Sequence, residues 1–161
     1  MAASNQASKA GSGIEIRKLA TSDVPAVLAI LRESPEAASW SQESLQRLAS
    51  VELAAWVAQV NGALVGFLIG RIIADECEIL NMAVSLTHRR NGIGSILLES
   101  ALEFSRISGC VRAYLEVRAS NAPAIAIYKR HGFTECGRRE HYYRDPVEDA
   151  QLLSFRVGGT H

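Results

Sequence analysis

A glycine-containing loop carries the clearest chemical signal in the sequence. Gly92 and Gly94 follow Arg89 and Arg90, after an apolar run and directly before a helical pattern. Glycine lets the backbone approach a ligand closely, and the first amide groups of a helix have no partner within the helix. The helix dipole adds a positive potential at the same place. The loop is therefore predicted to bind an anion, and a flexible turn without a ligand is the alternative.

Two common phosphate-binding loops do not fit this segment. The chain contains no Gly-Lys-Ser/Thr, so it has no Walker-type loop. A dinucleotide fingerprint needs a third glycine, and Leu97 stands in its place. The strand before the loop also belongs to a series of hairpins rather than to a strand–helix–strand unit.

Three residues further along have types suited to proton transfer or polar contacts. Glu116 lies on a predicted strand with Arg118 on the same face, so a surface ion pair is one interpretation. Tyr128 follows Ile125 by three positions on a predicted helix, where an aromatic side chain usually packs in the core. Asn121 precedes that helix and is well placed to cap it. The residue types alone leave the structural and the functional interpretations open.

Hydrophobic periodicity predicts the elements that position these residues. Helices are predicted after Ser22-Asp23, after Ser41, over 92–108 and over 121–130. Strands are predicted over 14–17, 53–60, 63–73, 77–84, 111–117, 133–142 and 150–157. Asn61-Gly62 predicts a tight hairpin between two of them. The order β-α-α-β-β-β-α-β-α-β-β predicts an α+β fold with a mixed sheet.

Composition limits the class of protein. The 161 residues are 48% hydrophobic and 21% charged, with 17 basic and 17 acidic side chains, as in one globular domain. Zero net charge argues against binding nucleic acid over the whole surface, because neutralising phosphates requires excess cations. Cys77, Cys110 and Cys136 lack zinc-ligand spacing, and no apolar run approaches the roughly 18 residues of a membrane span. We expect a cytoplasmic protein without a metal, stable nucleic-acid binding or a membrane segment, in which residues 1–13 are a disordered leader and 14–161 one domain.

Three segments between Asn81 and Tyr143 resemble the GNAT acetyltransferase superfamily, and within it the RimI-type ribosomal-protein-alanine N-acetyltransferases. NMAV at 81–84 resembles the strand before the glycine loop of that family. HRRNGIGSILL at 88–98 is similar to its Q/R-x-x-G-x-G/A motif and the following helix. LEVRASNAPAIAIYKRHGF at 115–133 resembles the narrower RimI pattern. The resemblance covers about half of the chain.

The resemblance implies acetyl-CoA as the cosubstrate and a mostly antiparallel seven-stranded sheet, flanked by helices and splayed between its fourth and fifth strands. Met82, Ala83 and Val84 would run along the pantetheine arm as an added strand does, and Asn121 would also contact the cofactor. The pyrophosphate would be held by a larger set: Arg89, Arg90, Asn91, Gly92, Ile93, Gly94 and Ser95. Ser95 departs from the family, whose members usually carry Arg or Lys there.

The resemblance also makes Glu116 the general base and Tyr128 the general acid. Acetyl transfer requires a neutral amine and, later, a proton for the departing thiolate. An α-amino group titrates near about pH 8, whereas a lysine side chain titrates near about 10.4. A Glu/Tyr pair therefore suits an N-terminal amine more easily than an unactivated lysine, although it does not exclude lysine.

The acceptor is predicted from a few further residues. Glu78 belongs to an acidic group that would favour a basic peptide if it faces the acceptor groove, although such groups usually only solvate loops. Tyr142 and Tyr143 match an aromatic pair of the RimI family and either line that groove or pack between strands. We predict an enzyme that acetylates the N-terminal alanine of a basic ribosomal protein. Alternatives are a GNAT enzyme acting on lysine side chains or small-molecule amines, and a non-catalytic acetyl-CoA sensor.

Overall fold

The computed structural model describes residues 8–10, 13–37, 41–49 and 54–158. Within them, helices pack on both faces of one eight-stranded sheet. The helices are α1 (Val24–Arg32), α2 (Gln42–Ala49), α3 (Ile93–Ile107) and α4 (Ala122–Arg130). The strands are β1 (Ser8–Ala10), β2 (Ile14–Lys18), β3 (Ala54–Val60), β4 (Ala63–Ile73), β5 (Glu76–Val84), β6 (Arg112–Arg118), β7 (Thr134–Tyr143) and β8 (Glu148–Arg156).

The sheet has the order β1-β2-β3-β4-β5-β6-β8-β7, and its pairs are antiparallel except for β5 and β6. The mixed α+β fold and all seven predicted strands are confirmed. The structure departs from the expected disordered leader at Ser8–Ala10, which pairs with β2 as an additional edge strand. The predictions for residues 1–7, 11, 12 and 53 lie outside the described residues.

Close packing of α3 on the sheet fixes the position of the glycine loop. Ile93 and Leu97 of α3 are buried in the cluster on one face of the sheet. Gly66 of β4 lies directly beneath them, since a Cβ atom there would approach Ile93 Cγ2 to 3.2 Å and Leu97 Cδ1 to 3.3 Å. On the opposite face, Val27 of α1 and Leu45 of α2 belong to the second cluster. The start of α3 is thus held against the middle of the sheet.

A β-bulge interrupts β5 at Leu80. Residues on either side of Leu80 pair with consecutive residues of β4, so Leu80 has no residue opposite it. Cys77 and Ile79 before the bulge, and Met82 and Val84 after it, therefore all pack on the α3 side. The sequence pattern predicted a regular strand over 77–84, because a one-residue register shift leaves no clear local signal.

The parallel pairing of β5 with β6 is short. Glu76 to Ile79 pair with Arg112 to Leu115, and the pairing ends there. Residues 80–84 and 116–118 then form the two sides of an opening in the sheet. This opening lies between the fourth and fifth of the seven predicted strands, where the splay was expected.

Candidate active site

The opening between β5 and β6 is a cleft to which several segments contribute. Its walls include β5, β6, α4 and the segment after α1, and one residue of β7. The lining residues are Glu36, Ala37, Ile79, Leu80, Asn81, Met82, Glu116, Val117, Arg118, Asn121, Ala124, Tyr128 and Tyr143. The structure therefore brings together five of the residues predicted from sequence: Met82, Glu116, Asn121, Tyr128 and Tyr143.

The backbone of β5 presents polar groups to this cleft. The Ser85 amide donates to the Val65 carbonyl at 2.8 Å. Because the direction of backbone groups alternates along a strand, Met82 and Val84 direct theirs away from β4 and into the opening. Ala83 points its backbone groups at β4, and its side chain is buried on the α1 side. Met82 is thus placed to form strand-like hydrogen bonds with an extended ligand.

The glycine loop ends at the N-terminus of α3. Gly92 is the N-cap with a φ of 77°, and no side chain caps the helix there. The amide groups of the first turn, which Ile93, Gly94 and Ser95 provide, consequently have no acceptor within the helix. The Ile93 side chain is buried in the core, so this residue offers only its amide to a ligand.

The two glycines serve different purposes. At Gly92 the reason for glycine is the backbone conformation, because a positive φ is costly for residues that carry a side chain. Space is not the reason, since a Cβ there would meet no atom within 4 Å. Gly94 allows close packing, since its Cβ would approach Ile127 Cδ1 to 3.2 Å. Arg90 and Asn91 are exposed, and Arg90 itself has a φ of 67°. This geometry suits an anion bound at the start of α3.

Arg89 is occupied by protein acceptors. Its Nε donates to the Val84 carbonyl at 3.1 Å. Its Nη2 donates to Ser34 Oγ and Glu36 Oε1, both at 3.0 Å. The side chain thus connects the end of β5 with the segment that follows α1.

Glu116 is the first residue of β6 beyond the parallel pairing. Its Oε1 forms an ion pair with Arg139 Nε at 2.9 Å. The Glu116 carboxylate, through its interaction with the Tyr142 hydroxyl, raises the pKa of Tyr142. The surface pair with Arg118 considered from the sequence does not form, because Arg118 pairs with Glu148 at 3.4 Å instead. The carboxylate therefore lies at the cleft with β7 groups as its partners.

Tyr128 is both a core residue and part of the cleft wall. Its side chain belongs to the cluster on the α3 side, with its ring centroid 5.7 Å from that of Phe133. Burial raises the pKa of Tyr128 above the ordinary tyrosine value. The hydroxyl group consequently stays protonated at neutral pH and can serve as a proton donor.

Asn121 caps α4, as its position in the sequence predicted. Its Oδ1 accepts a hydrogen bond from the Ala124 amide at 3.3 Å. The same residue lines the cleft. Capping therefore accounts for one polar atom of the side chain, and the amide nitrogen is the group left for a ligand.

The predicted acceptor residues fall into two groups. Tyr143 lies in the cleft wall beneath the Arg118 guanidinium, 4.4 Å from its ring centroid, and burial raises the pKa of Tyr143 to about 12. Tyr142 is 48% exposed beside it. Glu78 is not part of the cleft lining, and its carboxylate pairs with Arg71 at 2.7 Å.

Sequence reasoning missed four residues of the site. Glu36 and Arg139 reach the site from segments distant in sequence, and no local sequence pattern predicts such contacts. Arg118 was seen only as a possible partner of Glu116. Asn81 is 7% exposed in the cleft wall, and its amide within an otherwise apolar run was a signal that could have identified it.

Comparison with known proteins decides the family. The sequence model of the Acetyltransferase (GNAT) family matches residues 22–133. The chain belongs to the GNAT family. As a GNAT protein it is an acetyl-CoA-dependent N-acetyltransferase, in agreement with the glycine loop and the splayed sheet. Within the residues that the structure describes, no helix is long and apolar enough to cross a membrane, and no three His, Cys, Asp or Glu side chains are grouped to hold a metal ion.

Similar GNAT proteins include enzymes that modify protein N-termini. Ribosomal protein bS18-alanine N-acetyltransferase of Escherichia coli (strain K12) is 33% identical over 144 residues, covering 88% of this chain and 97% of the relative. The N-alpha-acetyltransferase of Sulfurisphaera tokodaii is 33% identical over 160 residues, covering 91% of this chain and 95% of the relative. The crystal structure of the Escherichia coli ribosomal-protein-S18-alanine N-acetyltransferase has a TM-score of 0.81 at 32% identity, over 92% of this chain and 96% of that one.

Proposed function

We propose that this GNAT enzyme is a protein Nα-acetyltransferase whose acceptor is the N-terminal alanine of a basic ribosomal protein. The proposal rests above all on the cleft between β5 and β6, where Glu116 and Tyr128 line the same space as the backbone of Met82. The names of the similar enzymes from Escherichia coli and Sulfurisphaera tokodaii support an α-amino acceptor.

Each residue of the site has one task in the proposed reaction. Acetyl-CoA supplies the acetyl group as a thioester. The backbone groups of Met82 hold the pantetheine arm as a neighbouring strand would. The loop residues Arg90, Asn91, Gly92, Ile93, Gly94 and Ser95 hold the pyrophosphate, mainly through amide groups at the start of α3. Asn121 contacts the cofactor with the amide nitrogen that capping leaves unused.

Glu116 and Tyr128 move the protons. Glu116 accepts a proton as the acceptor nitrogen forms its bond to the acetyl carbon. Tyr128, kept neutral by burial, donates a proton to the sulfur when the carbon–sulfur bond breaks. Proton transfer by a positioned side chain contributes about 10²–10⁴-fold to a rate. An α-amino group near pH 7 is already partly neutral, so one carboxylate suffices.

The cleft wall is mixed in charge and partly aromatic. Glu36, Glu116 and Arg118 line it beside Tyr143, and the two carboxylates are paired with Arg89 and Arg139. The support for a ribosomal-protein acceptor therefore comes from the similar enzymes rather than from the charge of the cleft. Tyr142, exposed next to the cleft, adds a second aromatic surface for the chain that follows the acceptor residue.

The acceptor is tested with a panel of amines and acetyl-CoA. We expect rapid acetylation of an Ala-initiated, Arg-rich peptide that also contains lysine. We expect no acetylation of the same peptide when its N-terminus is formylated, although its lysine side chains remain free. Acetylation of polyamines or aminoglycosides while the peptide is untouched would contradict the proposal. Binding of acetyl-CoA without thiol release on any amine would indicate a sensor instead.

The base is tested by Glu116→Gln, with Glu103→Gln as the matched control. Glu103 is an exposed glutamate on α3 that pairs only with Arg106 in the described part of the chain. We expect Glu116→Gln to lower kcat at least tenfold and to leave the Kd for acetyl-CoA within twofold. Equal kcat in both variants would remove Glu116 from the mechanism.

A further inference from the structure

Arg89 joins two parts of the cleft that belong to different segments of the chain. Its Nε and Nη2 donate to the Val84 carbonyl, to Ser34 Oγ and to Glu36 Oε1, at distances of 3.0 to 3.1 Å. A guanidinium has five N–H groups, and these contacts use the one on Nε and both on Nη2. Among the residues that the structure describes, only Nη1 of Arg89 is left without a partner.

The segment that Arg89 holds is a wall of the cleft. Glu36 and Ala37 line the cleft, and the Ser34 side chain is almost fully buried, with 1% exposure. A second contact joins the same regions, since the Leu86 amide donates to Glu33 Oε2 at 3.3 Å. The segment from 33 to 37 is therefore attached to the end of β5 and to the turn that leads into the glycine loop.

This wall lies on the side from which an acceptor reaches Glu116. Leu115 and Val117 point into the α3-side cluster, so Glu116, between them on β6, points to the opposite face of the sheet. The segment from 33 to 37 follows α1, which packs on that same opposite face. The start of α3 and Tyr128 lie on the other face. The two substrates of the proposed reaction thus approach from opposite sides.

We propose that Arg89 is a positioning residue that fixes the segment 33–37 as the acceptor-side wall, and that it is not a ligand of the pyrophosphate. Arg90, exposed and without an ion pair among the described residues, is the arginine that serves the anion. The inference rests on the proposed function in one respect, that the acceptor enters on the Glu116 side. It reverses the role that the family resemblance gave to Arg89.

The experiment compares Arg89→Gln with Arg90→Gln as a matched loss of one neighbouring positive charge. Titration calorimetry gives the Kd for acetyl-CoA. Hydrogen exchange of the free protein gives the protection of the amides in the segment 33–37, which are those of Glu33, Ser34, Glu36 and Ala37 because Pro35 has no N–H. We expect Arg89→Gln to change this Kd less than twofold and to speed exchange at 33–37 roughly tenfold, as when a hydrogen bond to a charged group is lost. Arg90→Gln should weaken acetyl-CoA binding roughly tenfold and leave that exchange unchanged.

Turnover adds a readout on the acceptor. Arg89→Gln should raise the KM for the Ala-initiated peptide roughly tenfold with a smaller change in kcat, whereas Arg89→Lys should restore it only in part, because one ammonium cannot reach three acceptors as the planar fork does. Glu36→Gln removes the ion pair with Arg89 from the side of the segment, where the Glu36 side chain is partly exposed. It should shift exchange and KM in the same direction, so the proposal can be tested even if Arg89→Gln folds poorly. The double variant Arg89→Gln/Glu36→Gln should behave like Arg89→Gln alone.

The inference is overturned if Arg89→Gln weakens acetyl-CoA binding as much as Arg90→Gln does while exchange at 33–37 stays unchanged. Neither of these measurements involves turnover. They therefore decide the role of Arg89 even if the acceptor in the proposed function is wrong, and failure of the peptide panel would leave their outcome intact.

Discussion

The left-handed backbone at Gly92 gives a prediction whose size follows from the structure. A Cβ at this position meets no atom within 4 Å, so Gly92→Ala introduces no clash, and its whole cost comes from the φ of 77°. Placing an L-residue in that region costs about 1–2 kcal/mol. For a chain of this length, that corresponds to a fall in Tm of roughly 2–8 °C. If the loop instead relaxes to a negative φ, the first amides of α3 turn away from the anion and the Kd for acetyl-CoA rises.

Two further variants isolate the cause. Gly92→Asn adds a larger side chain to the same open space but tolerates the left-handed region better, so it should be more stable than Gly92→Ala. Gly94→Ala has no positive φ to maintain and meets only the flexible side-chain ends of Ile127 at 3.2 Å and Met82 at 3.7 Å, so its cost should be smaller. Thermal unfolding and acetyl-CoA calorimetry measure both effects. If Gly92→Ala matches Gly92→Asn in Tm and in Kd, the reasoning from backbone conformation is refuted.

The remaining predictions concern the proposed proton donor, the ion-pair partner of the proposed base and the partly buried pair of Arg17 and Asp23. Tyr128→Phe should lower kcat at least tenfold with an unchanged Kd for acetyl-CoA; an unchanged kcat would exclude its hydroxyl from the reaction. Arg139→Gln removes the cation that pairs with Glu116, the proposed base, so the peptide KM should fall while Tm stays nearly constant; Arg138→Gln is the control, and a rise in KM specific to Arg139→Gln would contradict the competition. At Asp23, burial raises the pKa, but the hydrogen bonds from Arg17 and a backbone amide outweigh it and leave the pKa lowered. Its stabilisation is then present above the unfolded value of about 3.9 and lost as pH falls through the lower folded value, so urea midpoints of wild type and Asp23→Asn should differ at pH 6 and converge at lower pH; a constant difference would argue against linkage.

The sequence predicted those elements whose signals are local. Asn61-Gly62 forms the predicted tight turn between β3 and β4, with both residues at positive φ. The helix α4 runs from Ala122 to Arg130 and is capped by Asn121, close to the predicted bounds. In each case a turn residue or a cap defines the end of the element within a few positions, so no distant contact is needed.

The contacts of the side chains in the candidate site could not be predicted in the same way. Glu116 was assigned a candidate partner two residues away, yet the structure gives it Arg139, which lies beyond α4 and on another strand. The register of β7 against β8 shifts between Arg139 and Tyr143, and such shifts decide which side chains reach the carboxylate. Arg89 was predicted from its place in a motif, whereas its partners Ser34 and Glu36 come from a loop more than 50 residues earlier.

The bulge at Leu80 connects the fold with the chemistry. A bulge increases the local twist of its strand, and the pairing of β5 with β6 ends one residue before it, at Ile79. The strand β6 continues to pair with β8 as far as Arg118. The opening therefore forms because β5, rather than β6, separates from its neighbour in the sheet. The departure leaves the backbone of Met82 without a strand on the side that faces β6, while its other side still pairs with β4. It also makes Glu116 the first β6 residue at the opening. One extra residue in β5 thus accounts for the backbone polar groups that face the opening and, under the proposed function, for the access of an amine to Glu116.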